Sequence, residues 1–118
     1  MHPAKVNTIN TLQLIADIEA QKSYEANVPI ADVPAELVNQ WFDDFYHPDS
    51  DWYKEPFTNN ELDVLGEFHA FYDARVSSLP DSLDEMHQCY RWIEVVGKAQ
   101  WALNMLNWQG VVATYDNS

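Results

Sequence analysis

The longest helical pattern in the chain is SLDEMHQCYRWIEVVGKAQWALNMLNW, residues 82–108. It opens with Ser82-Leu-Asp-Glu85, which has the form of a capping box. Two apolar seams follow at helical spacing: Leu83, Met86, Tyr90 and Ile93 form one, and Cys89, Trp92, Val96, Ala99, Leu103 and Leu106 form the other. A helix that is apolar over most of its circumference needs neighbours on several sides. The pattern therefore predicts a central helix over residues 82–108.

Three further segments place apolar residues at helical spacing. They predict helices over Thr8–Tyr24, over Pro34 to Tyr46 or His47, and from a capping box at Thr58–Glu61 to Leu79. The chain has only three glycines and contains neither Asn-Gly nor Asp-Gly, so β-hairpins are not expected. Residues 111–115 predict either a short C-terminal strand or a packed tail. We expect an all-α fold, a single helical domain over residues 1–118 with a bundle of about four helices.

Two finer expectations concern the last two helices. Gly66 and Gly97 lie at similar distances from Pro80 along the chain, so an antiparallel hairpin would bring them to similar heights. Since glycine weakens a helix, we predict that the pair marks a close helix crossing. Glu94 and Lys98 have the favourable i,i+4 order of an ion pair within one helix.

Charge is the compositional outlier of the 118 residues, with 19 acidic against six basic side chains and a net charge of −13. Direct binding to nucleic acid is not expected, because phosphate contacts need Lys and Arg. An anionic membrane surface is disfavoured for the same reason. A basic protein partner is the natural complement of such a chain. Solubility alone is the other explanation of the charge.

The chain has one cysteine, Cys89, so no internal disulfide can form. The first eleven residues hold no apolar run typical of a signal peptide, and no segment reaches 18 consecutive apolar residues. These features predict a cytoplasmic protein that does not enter the membrane.

The segment WFDDFYHPDSDWYKEPF, residues 41–57, is the densest in both rings and carboxylates. Its first half, with Trp41, Phe42 and Phe45 at helical spacing, predicts core. Its second half has no period, so Trp52 and Tyr53 either fold back under a loop or face a partner. The predicted partner-binding residues are Asp43, Asp44, Asp49, Asp51, Trp52, Tyr53, Glu55 and Phe57.

The sequence predicts no catalytic, cofactor-binding or metal-binding residues. Asp49-Ser-Asp51 resembles the start of a calcium loop, but Lys54 and Asn60 stand where an EF-hand needs Gly and Glu. His69 lies in an apolar seam, which is typical of a buried, hydrogen-bonded histidine. Asp84 and His87 are three residues apart, but a di-iron bundle needs carboxylates from other helices, and none is predicted to face inwards.

Three functions remain as hypotheses. The first is a protein-binding module for a basic partner, of the inhibitor or immunity type; such proteins share this general composition, although no motif supports the likeness. The second is a nucleic-acid mimic, with carboxylates that replace phosphates along an acidic row: Glu36, Asp43, Asp44, Glu61, Asp63 and Glu67. The third is a small helical enzyme or metal protein that uses His69 and His87. A homodimer is an additional expectation, because the many large rings would leave an exposed patch.

Overall fold

A computed structural model describes residues 1–115, and within them every regular element is a helix. The predicted all-α class is confirmed, in a single globule, but the count of about four helices is too low. The α-helices are Pro3–Ile15 (α1), Ile18–Asn27 (α2), Val33–Asn39 (α3), Asp51–Lys54 (α4), Asn59–Asp73 (α5), Leu83–Gln88 (α6) and Tyr90–Leu106 (α7), with a π-helix at Gln40–Phe45 and a 3₁₀ turn at Val76–Ser78. None of these described helices has the length and apolar character that crossing a bilayer requires.

The predicted helix Thr8–Tyr24 is in fact two helices. The first begins earlier, at Pro3, where the His2 ring accepts a hydrogen bond from the Ala4 amide (3.1 Å). The break falls at Asp17, whose backbone is extended. Its side chain caps α2 by accepting a hydrogen bond from the Ala20 amide (3.1 Å). A carboxylate that caps the next helix competes with continuation of the previous one, which explains the break.

The predicted helix 82–108 is also divided, at Cys89. Ser82 caps α6 as expected, accepting from the Glu85 amide at 3.1 Å. Cys89 then adopts an extended conformation (φ −90°, ψ 119°), and α7 starts after it. The turn of the chain at Cys89 rotates α7, so the predicted seam ends at Met86, while Tyr90 and Ile93 face outwards, 66% and 42% exposed.

The core forms where α7 packs against α1, α5 and α6, which places the helix as centrally as its sequence predicts. α1 contributes Val6, Ile9, Leu12 and Ile15; α5 contributes Val64, Leu65, Phe68 and Tyr72; and α7 contributes Trp92, Val95, Val96, Ala99, Ala102, Leu103 and Leu106. The capping box that opens α5 is confirmed. Thr58 Oγ1 accepts from the Glu61 amide (3.1 Å), and Glu61 accepts from the Thr58 amide (2.8 Å).

The two finer expectations for the last helices are wrong. A Cβ on Gly97 would meet no atom within 4 Å, and one on Gly66 would meet only the Tyr46 hydroxyl at 3.9 Å, so neither glycine lies at a close crossing. Glu94 and Lys98 do not pair with each other. Lys98 instead binds Glu67 across to α5 (2.8 Å), and Glu94 binds Arg75 (3.6 Å).

Residues 111–115 form a packed tail and no strand. Gln13 of α1 holds the tail, because its amide nitrogen donates to the carbonyls of Trp108 (3.2 Å) and Val111 (2.7 Å). Ala113 is buried behind these contacts. The last three residues of the predicted domain, 116–118, lie outside the described part.

Gln21 is the polar centre of the joint between α1 and α2, and it is fully buried. Its amide nitrogen donates to the carbonyls of Leu14 (2.9 Å) and Ile15 (3.0 Å) at the end of α1, where the Leu14 carbonyl also accepts from the Asp17 amide (3.3 Å). Its amide oxygen accepts from Trp92 Nε1 (3.2 Å) and lies 2.9 Å from His87 Nε2. One side chain thus satisfies the end of α1 and ties it to α6 and α7.

Candidate functional site

The π-helix Gln40–Phe45 shapes the most ring-rich part of the surface. The Tyr46 amide donates to the Trp41 carbonyl (3.3 Å), five residues back. Because this wider turn brings residues five apart onto one side, the Tyr46 ring stacks on Trp41 with centroids 4.6 Å apart. Tyr46 is therefore in the core, whereas Phe42 and Phe45, both predicted to be core, are only half-buried.

An open cleft of about 580 Å³ lies beside this π-helix. It is lined by Phe42, Tyr46, His47, Pro48, Asp49, Ser50 and His69. His69 is fixed from behind, because its Nδ1 accepts a hydrogen bond from the buried Trp41 indole (3.2 Å). With Nδ1 used as an acceptor, a neutral His69 carries its proton on Nε2, which leaves that N–H to serve another partner.

The rings of the cleft contact one another. His69 lies 5.3 Å from Phe42 and 5.0 Å from Tyr46 between ring centroids. Burial, and to a lesser degree the Asp49 carboxylate, raise the pKa of Tyr46, so its hydroxyl stays protonated at neutral pH. The cleft thus combines the half-buried Phe42 ring with a protonated Tyr46 hydroxyl and an adjacent Asp49 carboxylate.

The turn after Pro48 is a short helix, α4, where the sequence predicts loop. Ser50 caps it by accepting from the Tyr53 amide (3.2 Å). Tyr53 is 1% exposed, and its hydroxyl shares a buried hydrogen bond with Thr8 (2.8 Å). Burial raises the pKa of Tyr53. Phe57 is buried as well, so two of the three rings of the predicted partner-binding set, Tyr53 and Phe57, belong to the core.

The other six residues of the predicted set are at the surface: Asp43, Asp44, Asp49, Asp51, Trp52 and Glu55. Trp52 is 55% exposed, and its ring lies 4.7 Å from that of His2. Because Tyr53 anchors α4 from below, the exposed Trp52 is held on a fixed support. We call these six residues, with Phe42, Tyr46 and His69 of the cleft, the acidic aromatic surface.

Few carboxylates of the chain are neutralised by contact. Residues 1–115 hold 18 of the 19 acidic side chains, since Asp116 lies beyond the described part. Five of these 18 lie within 4.0 Å of a Lys nitrogen or Arg nitrogen, which leaves 13 without such a partner: the five are Glu19, Asp51, Glu61, Glu67 and Glu94. In the acidic aromatic surface only Asp51 is paired, with Lys54 at 3.6 Å. The surface therefore carries uncompensated negative charge.

His69 and His87 do not share a site. His69 is hydrogen-bonded to Trp41, and His87 is hydrogen-bonded to Gln21. These two hydrogen-bond networks have no residue in common. Among the described residues no group of three or more potential ligands could hold a metal ion. The single Cys89 is half-buried at the start of α7.

Lowering the pH from about 7 to about 5.5 is expected to destabilise the fold partly through His87. Burial, followed by the charge of Lys22, lowers its pKa from 6.5, outweighing the carboxylates of Asp84, Glu25 and Glu19. Folded His87 therefore binds fewer protons than unfolded His87, and the free energy of unfolding falls as pH drops. Urea unfolding of wild type and His87→Gln across this range would measure the contribution. Equal slopes for the two proteins would contradict it.

The sequence did not predict the cleft itself. The sequence predicts Phe42 and Tyr46 in one helix and His69 in another. Nothing in the spacing of these residues shows that a π-helix brings their rings together. The only sequence signal is Pro48, which ends the helix beside them.

The chain matches no family model, no curated protein and no solved structure.

Proposed function

We propose that this chain is a protein-binding module whose acidic aromatic surface receives a basic segment of a partner. The observation that carries the proposal is the combination of uncompensated carboxylates with the exposed Trp52 ring, which α4 holds in place. Asp43, Asp44, Asp49 and Glu55 have no Lys or Arg within 4.0 Å among residues 1–115. Trp52 is 55% exposed and lies between Asp49 and Glu55 in the sequence.

The chemistry of the cleft favours a cation. A Lys or Arg side chain over an aromatic face gains about 0.5–2 kcal/mol, depending on its desolvation. The half-buried Phe42 supplies such a face, and Asp49 supplies a carboxylate at the same cleft. A basic side chain of the partner would therefore find its counter-charge and its stacking surface in one place.

The net charge of −13 supports the same kind of partner. A strong field of one sign accelerates the encounter with an oppositely charged protein and makes the association rate depend on salt. An inhibitor of a basic protein, including one of the immunity type, would use both the field and the anchoring ring. This finer assignment depends on the identity of the partner.

The two alternatives have less support. A nucleic-acid mimic needs a row of free carboxylates, but Lys5 and Lys98 neutralise Glu61 and Glu67 in the row that the sequence predicts. An enzyme built on His69 and His87 needs the two to converge, and they lie in separate hydrogen-bond networks.

The test is the affinity of the natural partner, recovered by pull-down from the native host, for a set of surface variants. Trp52→Ala with Asp49→Asn is expected to weaken binding by at least about thirtyfold, since a central Trp anchor is worth about 2 kcal/mol or more. The matched control is Tyr115→Ala with Asp81→Asn, because Tyr115 is 53% exposed against 55% for Trp52. Recovery of the same partners with equal affinity by both double variants would contradict the proposal.

A further inference from the structure

α7 presents an apolar stripe on its outer face that the rest of residues 1–115 covers only in part, at Trp101, which packs against the core. Its members follow helical spacing along the outer face: Tyr90, Ile93, Gly97, Trp101 and Met105. Tyr90, Ile93 and Met105 are 66%, 42% and 51% exposed, and Trp101 is half-buried. Gly97 lies in the middle, exposed, with open space around its Cα. The stripe shares no residue with the acidic aromatic surface.

The charges beside the stripe differ from those of the rest of the molecule. Three of the six basic residues border it: Arg75, Arg91 and Lys98. Arg75 and Lys98 neutralise Glu94 and Glu67, and both cations stack on rings, Arg75 on Phe71 at 3.5 Å and Lys98 on Trp101 at 3.7 Å. Within residues 1–115 Arg91 has no carboxylate within 4.0 Å and lies over Tyr90. These ion pairs leave the stripe without excess negative charge.

We propose that the stripe is the interface of a homodimer, in which α7 of a second copy crosses it antiparallel about a two-fold axis at Gly97. Two chains of charge −13 repel each other through most of their surface. They can approach where the charge is compensated, and the border of the stripe provides such compensation. A second copy carries the same compensated border, so this face is where two copies can meet with the least repulsion.

The two-fold arrangement makes the stripe complementary to itself. A symmetric antiparallel crossing pairs residues at equal distances on either side of the axis. Ile93 then meets Trp101 of the second copy, and Tyr90 meets Asn104, so apolar groups face apolar or neutral ones. Gly97 meets its own counterpart, and the missing side chains let the two helices approach closely. Gly97 thus lies at a close helix crossing between two chains, although it does not lie at one within its own chain.

The extent of α7 sets the expected strength. Its 17 residues span about 25 Å at 1.5 Å per residue. One pair of such helices buries less than the roughly 800 Å² per partner typical of stable complexes. The dimer is therefore weak, and its formation depends on concentration and on enough salt to screen the repulsion of the two chains.

Sedimentation velocity of the full chain between roughly 10 µM and 1 mM, at 0.15 M salt, tests the interface. The wild type is expected to shift from monomer to dimer mass. Ile93→Lys should raise the dimer dissociation constant by at least about tenfold. Ile30→Lys is the matched control, because Ile30 is 98% exposed outside the stripe and the change in charge is the same. It should dimerise like the wild type.

Gly97→Gln separates interface from folding. Glutamine is a better helix former than glycine, and a Cβ at this site meets no atom within 4 Å, so the folded monomer gains stability. Its side chain nevertheless blocks the crossing, so dimerisation should be lost. A monomer mass for the wild type at every concentration would overturn the proposal. So would a dimer that survives both Ile93→Lys and Gly97→Gln.

Discussion

Replacement of Gln21 by Met is expected to lower the free energy of unfolding by about 3 kcal/mol, although the two side chains are similar in size. Methionine fills the space but offers no donor to the carbonyls of Leu14 and Ile15 and only a weak acceptor to Trp92 and His87. Each buried group left without a partner costs about 1–3 kcal/mol, and the terms do not add fully because the groups share one site. Denaturant unfolding followed by tryptophan fluorescence measures the loss.

Gln13→Met is the control for this substitution. Gln13 also donates twice to backbone carbonyls, those of Trp108 and Val111, but in a half-buried position where water can replace it. Its loss should cost about 1 kcal/mol. If the two variants are equally stable, burial does not make the Gln21 network costly to break, and the joint between α1 and α2 has another origin.

The helical class follows from the sequence because apolar spacing reports which face is buried, whatever the course of the chain between elements. The breaks at Asp17 and Cys89 do not follow from it. Asp17 stops α1 through its side-chain cap, and the free carbonyls are then satisfied by Gln21 and, at Ala16, by Gln100 (3.0 Å). Gln100 is 84 residues away from Ala16 in sequence, so no local pattern contains that contact.

The acidic aromatic surface could be predicted only in part, for a related reason. The sequence predicts its exposed acidic residues because carboxylates seldom enter a core, and residues 43–55 hold five of them: Asp43, Asp44, Asp49, Asp51 and Glu55. The fate of the rings depends on distant groups. Thr8 offers the hydroxyl of the buried Tyr53 a partner, whereas the ring of the neighbouring Trp52 lies against that of His2 and stays 55% exposed. Two neighbouring residues of one short helix thus differ completely in burial: Tyr53 lies in the core and Trp52 at the surface.

The π-helix is the least predictable element. Residues 37–45 satisfy an α-helical spacing, and only the packed structure shows that Trp41 and Tyr46 stack. This stack needs the wider turn, and the turn is stabilised by what Trp41 contacts: Phe68 edge-on at 4.8 Å and His69 through the indole N–H. Trp41 therefore links the π-helix to α5 and forms the floor beneath the cleft.

Replacement of Trp41 by Ala is accordingly expected to cost about 3–5 kcal/mol, the range for truncation of a large buried ring. Trp41 is 0% exposed, so the change leaves a cavity under Tyr46 and His69. The cleft should lose its shape together with the stability, and binding of a basic partner should fall with it. Denaturant unfolding gives the first quantity, and the affinity of the recovered partner at a temperature where the variant is folded gives the second.

Trp41→Phe separates the ring from its hydrogen bond. Phenylalanine keeps an aromatic face against Tyr46 and Phe68 but cannot donate to His69 Nδ1, so the cost should be smaller, about 1–2 kcal/mol. Because His69 lines an open cleft, water can reach the imidazole and limit the penalty. Partner binding should survive in this variant, since the walls of the cleft remain. Loss of binding in Trp41→Phe with stability intact would show that the orientation of His69, rather than the shape of the cleft, governs recognition.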